Sequence, residues 1–315
     1  MIDYSLNSLY RAADISKQAV RQHFQREQAQ LELIDELINR VDERRSEHPG
    51  EGLEKLYWQL QPDGIGRDKF CAILGQLGYH LKRSKNPIRT TIPAHKVFKN
   101  LIEGRVINGP GQVWQSDITY LKVGDCFYYL IFIIDAYTRR IVGWAASNSL
   151  RAEANIAALQ MALSQLPAST LKGCVHHSDR GTQYTDSRYV KLLREHGLTI
   201  SMGRKATDNA FAERINGVIK NEYLLPWAPS SFRELTKRTK QAVSDYNTKR
   251  HHGALGRRCP VQFERDHQQL PASKQRLEVI RSEGTPNISK SALQGGLQQP
   301  LDSIKEHPYC IVNLN

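Results

Sequence analysis

The chain has 315 residues, 40% hydrophobic and 24% charged, and its 44 Lys and Arg against 32 Asp and Glu give a formal net charge of +12. That composition excludes wholesale disorder, and the length suits two or three domains of roughly 150 residues each. The longest apolar run, Tyr128 to Ile134, has the length of a buried strand and falls far short of the roughly 18 residues of a membrane span. Asp3 and Asp14 stand where a secretory signal would be cationic and then apolar. The cysteines (Cys71, Cys126, Cys174, Cys259 and Cys310) are scattered without CxxC spacing, which suits a reducing cytosol and argues against a disulfide framework or a zinc ribbon. The positive balance points to a polyanion, most simply nucleic acid. It is unevenly placed: residues 1–111 carry +3, residues 112–265 carry +9, and residues 266–315 are neutral.

In chain order, two helix-turn-helix-like patterns come first. In the one from Ser5 to Arg26, Leu6, Leu9 and Ala13 recur at helical spacing. Ser16 then suits the N-cap of a helix whose apolar side is Ala19, Val20 and Phe24. Lys17, Gln18, Arg21 and Gln22 fall on its outer face, where such side chains suit phosphates and purine edges, or simply water. Leu31 to Val41 continues as an amphipathic helix, ended at His48-Pro-Gly. The second pattern sets Leu53, Leu56, Tyr57 and Leu60 before the breaker Pro62-Asp-Gly64, and Phe70, Ile73, Leu74 and Leu77 after it. Arg67 and Lys69 open its second helix, and the basic run Lys82-Arg-Ser-Lys85 follows. Pro87 to Pro110 reads as a linker with a short helix near Val97 to Ile102.

From Gly111 the pattern turns to strands: Val113–Leu121, Phe127–Ile134 and Arg140–Ala145, with Gly124-Asp125 and Thr138-Arg139 as turns. A helix at Ala152–Leu166, a strand at Cys174–His177, a helix at Ser187–His196 and a strand at Leu198–Ser201 follow. Helices near Asn209–Tyr223 and Ser231–Tyr246 complete the region. Hairpin strands followed by alternating helix and strand describe an α/β mixed sheet covered by helices, the order of ribonuclease-H-like folds.

Three acids stand out by position. Asp117 lies mid-strand, Asp179 follows the strand ending at Ser178, and Glu213 lies early in a helix. Singly, each has an ordinary explanation: a satisfied strand acid, a turn Asp before Arg180-Gly181, and an acid favoured by the helix dipole. Together they could converge on one divalent-metal pocket, since a carboxylate inside a strand is costly unless it is paired or binds a cation. Asp135 reads as a turn acid and Asp208 as an N-cap.

These residues also carry a resemblance. Trp114-Gln-Ser-Asp-Ile-Thr-Tyr120 is similar to the first catalytic block of bacterial insertion-sequence transposases of the IS-three type, which have a retroviral-integrase-like core. Ile133 to Trp144 follows where that family has it, His177-Ser-Asp-Arg-Gly-Thr-Gln-Tyr184 resembles the second block, and Asp208 to Glu222 the third. Tyr246-Asn-Thr-Lys-Arg-His-His252 with Cys259-Pro260 resembles the C-terminal signature, and residues 53–83 look like the helix-turn-helix that precedes the core.

The resemblance implies a ribonuclease-H-like core over residues 111–265, preceded by all-α DNA-binding regions at 1–48 and 49–86 and a linker at 87–110. A tail of unknown role follows at 266–315. It implies Asp117, Asp179 and Glu213 as a DDE triad holding two Mg²⁺ ions, or Mn²⁺, with Lys220 seven residues after Glu213 as a DNA contact. The further DNA contacts expected are Lys17, Gln18, Arg21, Arg67 and Lys69. The partners implied are double-stranded DNA, as terminal inverted repeats and target, and a second copy in a homodimer or higher oligomer on DNA. The setting is the bacterial cytoplasm, at the nucleoid, with no membrane. One departure stands: 33 residues separate Asp179 from Glu213, fewer than the family's usual spacing, and the shortfall falls in Ser201–Asp208. The rival class is a domesticated DNA-binding regulator that keeps the fold without the chemistry; a nuclease of RNA–DNA hybrids is a third.

Overall fold

The computed structural model describes residues 6–81, 96–203, 206–280 and 312–313. The chain divides after Lys82 into two compact units. In the first, α1 (Leu6–Ala12) turns through Asp14, whose φ is 51°, into α2 (Lys17–Glu47), a single helix of 31 residues. Ser16 starts α2 by accepting a 3.0 Å hydrogen bond from the Ala19 amide. The C-terminal half of α2 packs on α3 (Leu53–Leu60) and α4 (Arg67–Gln76) through Leu37, Val41, Leu56, Phe70 and Leu74. α3 and α4 are the two helices of the second expected pattern, and α2 completes their core.

The first pattern departs from expectation. Ala19 is exposed and Phe24 is 63% exposed, because α1, seven residues long, is too short to cover them. Lys17, Gln18 and Arg21 are exposed at the start of α2, and Arg67 and Lys69 at the start of α4. Arg67 is engaged by Asp68 at 2.8 Å and by Glu54 at 3.8 Å. The basic run at 82–85 lies outside the described residues.

The second unit is built on a five-stranded sheet of order β3-β2-β1-β4-β5. Its strands are β1 (Val113–Val123), β2 (Cys126–Asp135), β3 (Ile141–Ser147), β4 (Val175–Ser178) and β5 (Thr199–Met202). β1, β2 and β3 pair antiparallel, whereas β4 and β5 run parallel to β1. Alternate residues along a strand face opposite sides. Ile131 and Ile133 of β2 therefore join one core under α5 (Ala152–Leu163) and α6 (Ser187–Glu195), with Trp114, Leu159 and Leu193. Leu130 and Phe132 join the other under α7 (Ala210–Val218) and α8 (Phe232–Thr248), with Leu121, Ile215 and Leu235. A mixed sheet of this order with helices on both faces is the ribonuclease-H-like fold.

The turn after β2 is tied by Asp135, which is buried. Its carboxylate accepts from the amides of Gly111 at 2.7 Å, Thr138 at 2.8 Å and Tyr137 at 3.0 Å. Where a helix was expected at Val97–Ile102, the chain is not helical beyond Val97. Asn100 closes a local turn on the Ile102 amide at 3.1 Å, which competes with helix; Phe98 is buried in the core under α5 and α6, and Ile102 against Ile107, Val113 and Tyr137. The residues after Asp266 do not leave the core at once. α9 (Pro260–Gln269) continues past it, and Glu278–Val279 pairs with Val106–Ile107, burying Ile280. The Ser289–Pro300 stretch lies outside the described residues.

Candidate active site

β1 and β4 run parallel with Ser116 opposite Ser178. The next residue on each chain, Asp117 and Asp179, therefore emerges side by side where β4 ends, at a strand spacing of about 4.8 Å. Asp179 closes a tight turn by accepting from the Gly181 amide at 3.0 Å. A Cβ at Gly181 would sit 3.1 Å from that same Asp179 oxygen, so the turn favours glycine.

Amide side chains set α7 over this edge. Asn209 donates to the Ser116 carbonyl at 2.8 Å, and the Phe211 amide donates to the Gln115 side-chain oxygen at 3.1 Å. Asn216 donates to Oδ2 of Asp117 at 2.8 Å. Glu213 lies three residues before Asn216, hence on the same side of the helix. Asp208, expected as the N-cap, sits instead in a 3-10 turn over Ala206–Asn209. Asn209 occupies the cap position and turns its side chain to β1.

The electrostatics join the three carboxyls. Burial chiefly, then Asp179 and Glu213, push Asp117 up to about 8, against the pull of the Ile118 amide and Asn216. Burial and Asp179 raise Glu213 as well. Beneath them the Tyr184 hydroxyl meets Ser116 Oγ at 3.0 Å, and burial with Asp179 keeps that phenol protonated. Oxygen donors that repel one another suit a hard divalent cation. Among the described residues, no three His, Cys, Asp or Glu side chains already stand within reach of one ion. The donor chemistry of the three carboxyls nevertheless fits such an ion.

Beyond α7 the helix widens into a π-turn over Ile219–Leu224. Lys220 is only 8% exposed there, with its ammonium 4.9 Å from the centre of the Tyr120 ring. It is a packed lysine, and burial lowers its pKa. The C-terminal block is pinned to the same region. Arg250 donates twice to Glu222, at 2.7 and 2.9 Å, and Asn247 pairs through both amide atoms with the Ile141 backbone, each at 2.9 Å. Gln115, Asn209, Asn216, Asn247 and Arg250 carried no assigned role in the sequence. The one available signal was the spacing of Asn216 from Glu213.

Models of the integrase core domain match residues 107–207 and 196–260. The second unit therefore contains an integrase core domain. The transposase for insertion sequence element IS629 of Shigella sonnei is 32% identical over 255 residues, covering 79% of this chain and 85% of that protein. The transposase InsF for insertion sequence IS3A of Escherichia coli K12 is 34% identical over 201 residues, 62% of this chain and 69% of that protein. The HTLV-2 integrase catalytic core domain in complex with magnesium is also similar, at 18% identity and a TM-score of 0.39, over 53% of this chain and 99% of that one. The chain belongs to the insertion-sequence transposases with an integrase core, and its function is that of a DNA transposase. No helix among the described residues is long and apolar enough to cross a membrane.

Proposed function

We propose that Asp117, Asp179 and Glu213 are the catalytic triad, and that the protein cleaves and joins DNA strands at the terminal inverted repeats of its own mobile element. The observation that carries this is the parallel register of β1 and β4, which sets two aspartates side by side under the helix bearing the glutamate. Two Mg²⁺ or Mn²⁺ ions bound by these carboxylates would activate the attacking oxygen and stabilise the leaving one. The chain's own part is positioning. Asp117 and Asp179 stand on a rigid sheet edge, Glu213 on a helix registered to it by three amide contacts, and Asn216 fixes one oxygen of Asp117. A water first frees a 3′-hydroxyl, and that hydroxyl then attacks a second phosphodiester, so no side chain need become covalently attached.

The helical regions at 1–48 and 49–86 read the repeats, with Lys17, Gln18, Arg21, Arg67 and Lys69 as DNA contacts. Lys220 contacts DNA near the reacting end by swinging its ammonium off the Tyr120 ring, 87–110 links the regions to the core at 111–265, and two ends are paired by at least a dimer. The work is done on bacterial DNA in the cytoplasm. The rival reading is a domesticated DNA-binding regulator that keeps the fold without the chemistry. A strand-transfer assay on an end-containing duplex with Mg²⁺ or Mn²⁺ decides: joined product that disappears in Glu213→Gln is expected. Tight binding with no cleavage under either metal selects the regulator, and full activity in Glu213→Gln removes the triad.

A further inference from the structure

We propose that the outer face of α8 is a sequence-independent binding surface for the phosphate backbone of duplex DNA. This rests on the transposase reading above and adds to it a surface apart from the carboxylate pocket. α8 buries Leu235, Thr239, Ala242, Val243 and Tyr246. The intervening positions leave Arg233, Lys237, Lys240, Ser244 and Thr248 exposed. Their spacings of four, three, four and four residues place them along one side of the helix. The stripe rises about 22 Å at about 1.5 Å per residue. Every member is a cation or a hydroxyl, the groups that bind phosphate oxygens.

The acids of this helix are engaged off the stripe. Glu234 accepts from the Ser230 amide at 2.9 Å and hydroxyl at 2.8 Å, and faces Arg238 at 3.9 Å. Asp245 is 5% exposed and lies 3.2 Å from Lys249. An ordinary solvated face mixes its charges, as α6 does. There Arg188 meets Asp186 at 2.9 Å and Glu153 at 3.1 Å, and Lys191 faces Glu195 at 3.7 Å. The α8 stripe itself carries no acid; Glu234 flanks its first turn, beside Arg238 and Lys237.

Its placement connects it with the pocket. Phe232, in the first turn of α8, stacks on Tyr128 with ring centres 5.0 Å apart. Tyr128 pairs with Leu121, four residues and about 13 Å along β1 from Asp117 and on the same side of the sheet. At its other end, Asn247 is bonded to Ile141 at the start of edge strand β3. α8 therefore packs over the sheet face that carries Asp117, with the basic stripe on its side turned away from the sheet.

The test is equilibrium binding of two fluorescent duplexes of equal length, one containing the element end and one unrelated, from about 50 to about 200 mM salt. The variant is Arg233→Ser with Lys237→Ser and Lys240→Ser. The log–log salt slope is expected to flatten by about 2 to 3, near 0.9 per lost phosphate contact, on both duplexes alike. The melting temperature stays that of the wild type, because all three residues are exposed. Arg188→Ser with Lys191→Ser on α6 leaves the slope as it was. An unchanged slope in the triple variant, with steep binding by the wild type, overturns the surface and leaves the transposase reading standing. A change on the end duplex alone overturns its independence of sequence. Binding of neither duplex by the wild type removes the surface together with the reading beneath it.

Discussion

The side-chain amide of Asn216 donates a 2.8 Å hydrogen bond to Oδ2 of Asp117, from a helix 99 residues further along the chain. That one bond couples the orientation of the strand-borne carboxylate to the helix that carries Glu213. It also leaves the Asn216 oxygen buried and without a hydrogen bond, so the amide is held for what its nitrogen does.

Replacing Asn216 with Ala frees Asp117 to rotate while leaving all three acids in place. Strand transfer is expected to fall about 10- to 100-fold, the usual cost of losing a partner that orients a metal ligand. Single-turnover kinetics at saturating DNA check it. The loss belongs in the rate and the metal dependence, with DNA affinity kept.

The state of Asp117 gives a pH signature. Its carboxyl is pushed up to about 8 in the folded chain from an ordinary 3.8. Between those values the folded state holds a proton that the unfolded chain has released, so stability falls as pH rises through that window. Thermal melts of the metal-free protein should show Tm declining from about pH 5 to about 8, more steeply than in Asp117→Asn. A divalent cation that binds the ionised carboxylates should offset the decline. Equal slopes in the two proteins would contradict the assignment.

Much of this architecture could be read from the sequence. The β1–β2 hairpin was visible because alternation, a seven-residue apolar run and Gly124-Asp125 agree on one reading. Asp117, Asp179 and Glu213 were visible as positions, yet their neighbourhood depends on a parallel register that no local pattern encodes. The Val97–Ile102 helix failed because Asn100 spends its side chain on a local turn. Phe24 lies on the expected apolar side of its helix and is still 63% exposed, because an amphipathic stripe shows that a face is apolar without showing that anything covers it.

Arg250 and Glu222 predict a fold defect separable from chemistry. Arg250 is 6% exposed, so Arg250→Ala strands a half-buried carboxylate and is expected to cost about 3–5 kcal/mol in urea unfolding. Changing both residues to apolar ones of similar volume should cost much less. Equal losses in single and double variants would show that the pair itself is unimportant.

Gly143 marks the closest approach of β3 to α5. A Cβ there would lie 2.1 Å from the Ala158 carbonyl oxygen and 2.9 Å from the Ala162 methyl. A helix backbone cannot give way as a side-chain tip can. Gly143→Ala should therefore destabilise the core by at least about 1–3 kcal/mol, read from the shift in urea midpoint.

The most direct test of the central claim is a Mn²⁺ titration followed by electron paramagnetic resonance, with an end-containing duplex present. Wild type is compared with Asp117→Asn, Asp179→Asn and Glu213→Gln. The account predicts ion uptake by the wild type, and in each variant at least about a tenfold loss of affinity together with loss of joined product. Wild-type ion affinity and full strand transfer in all three variants would contradict it.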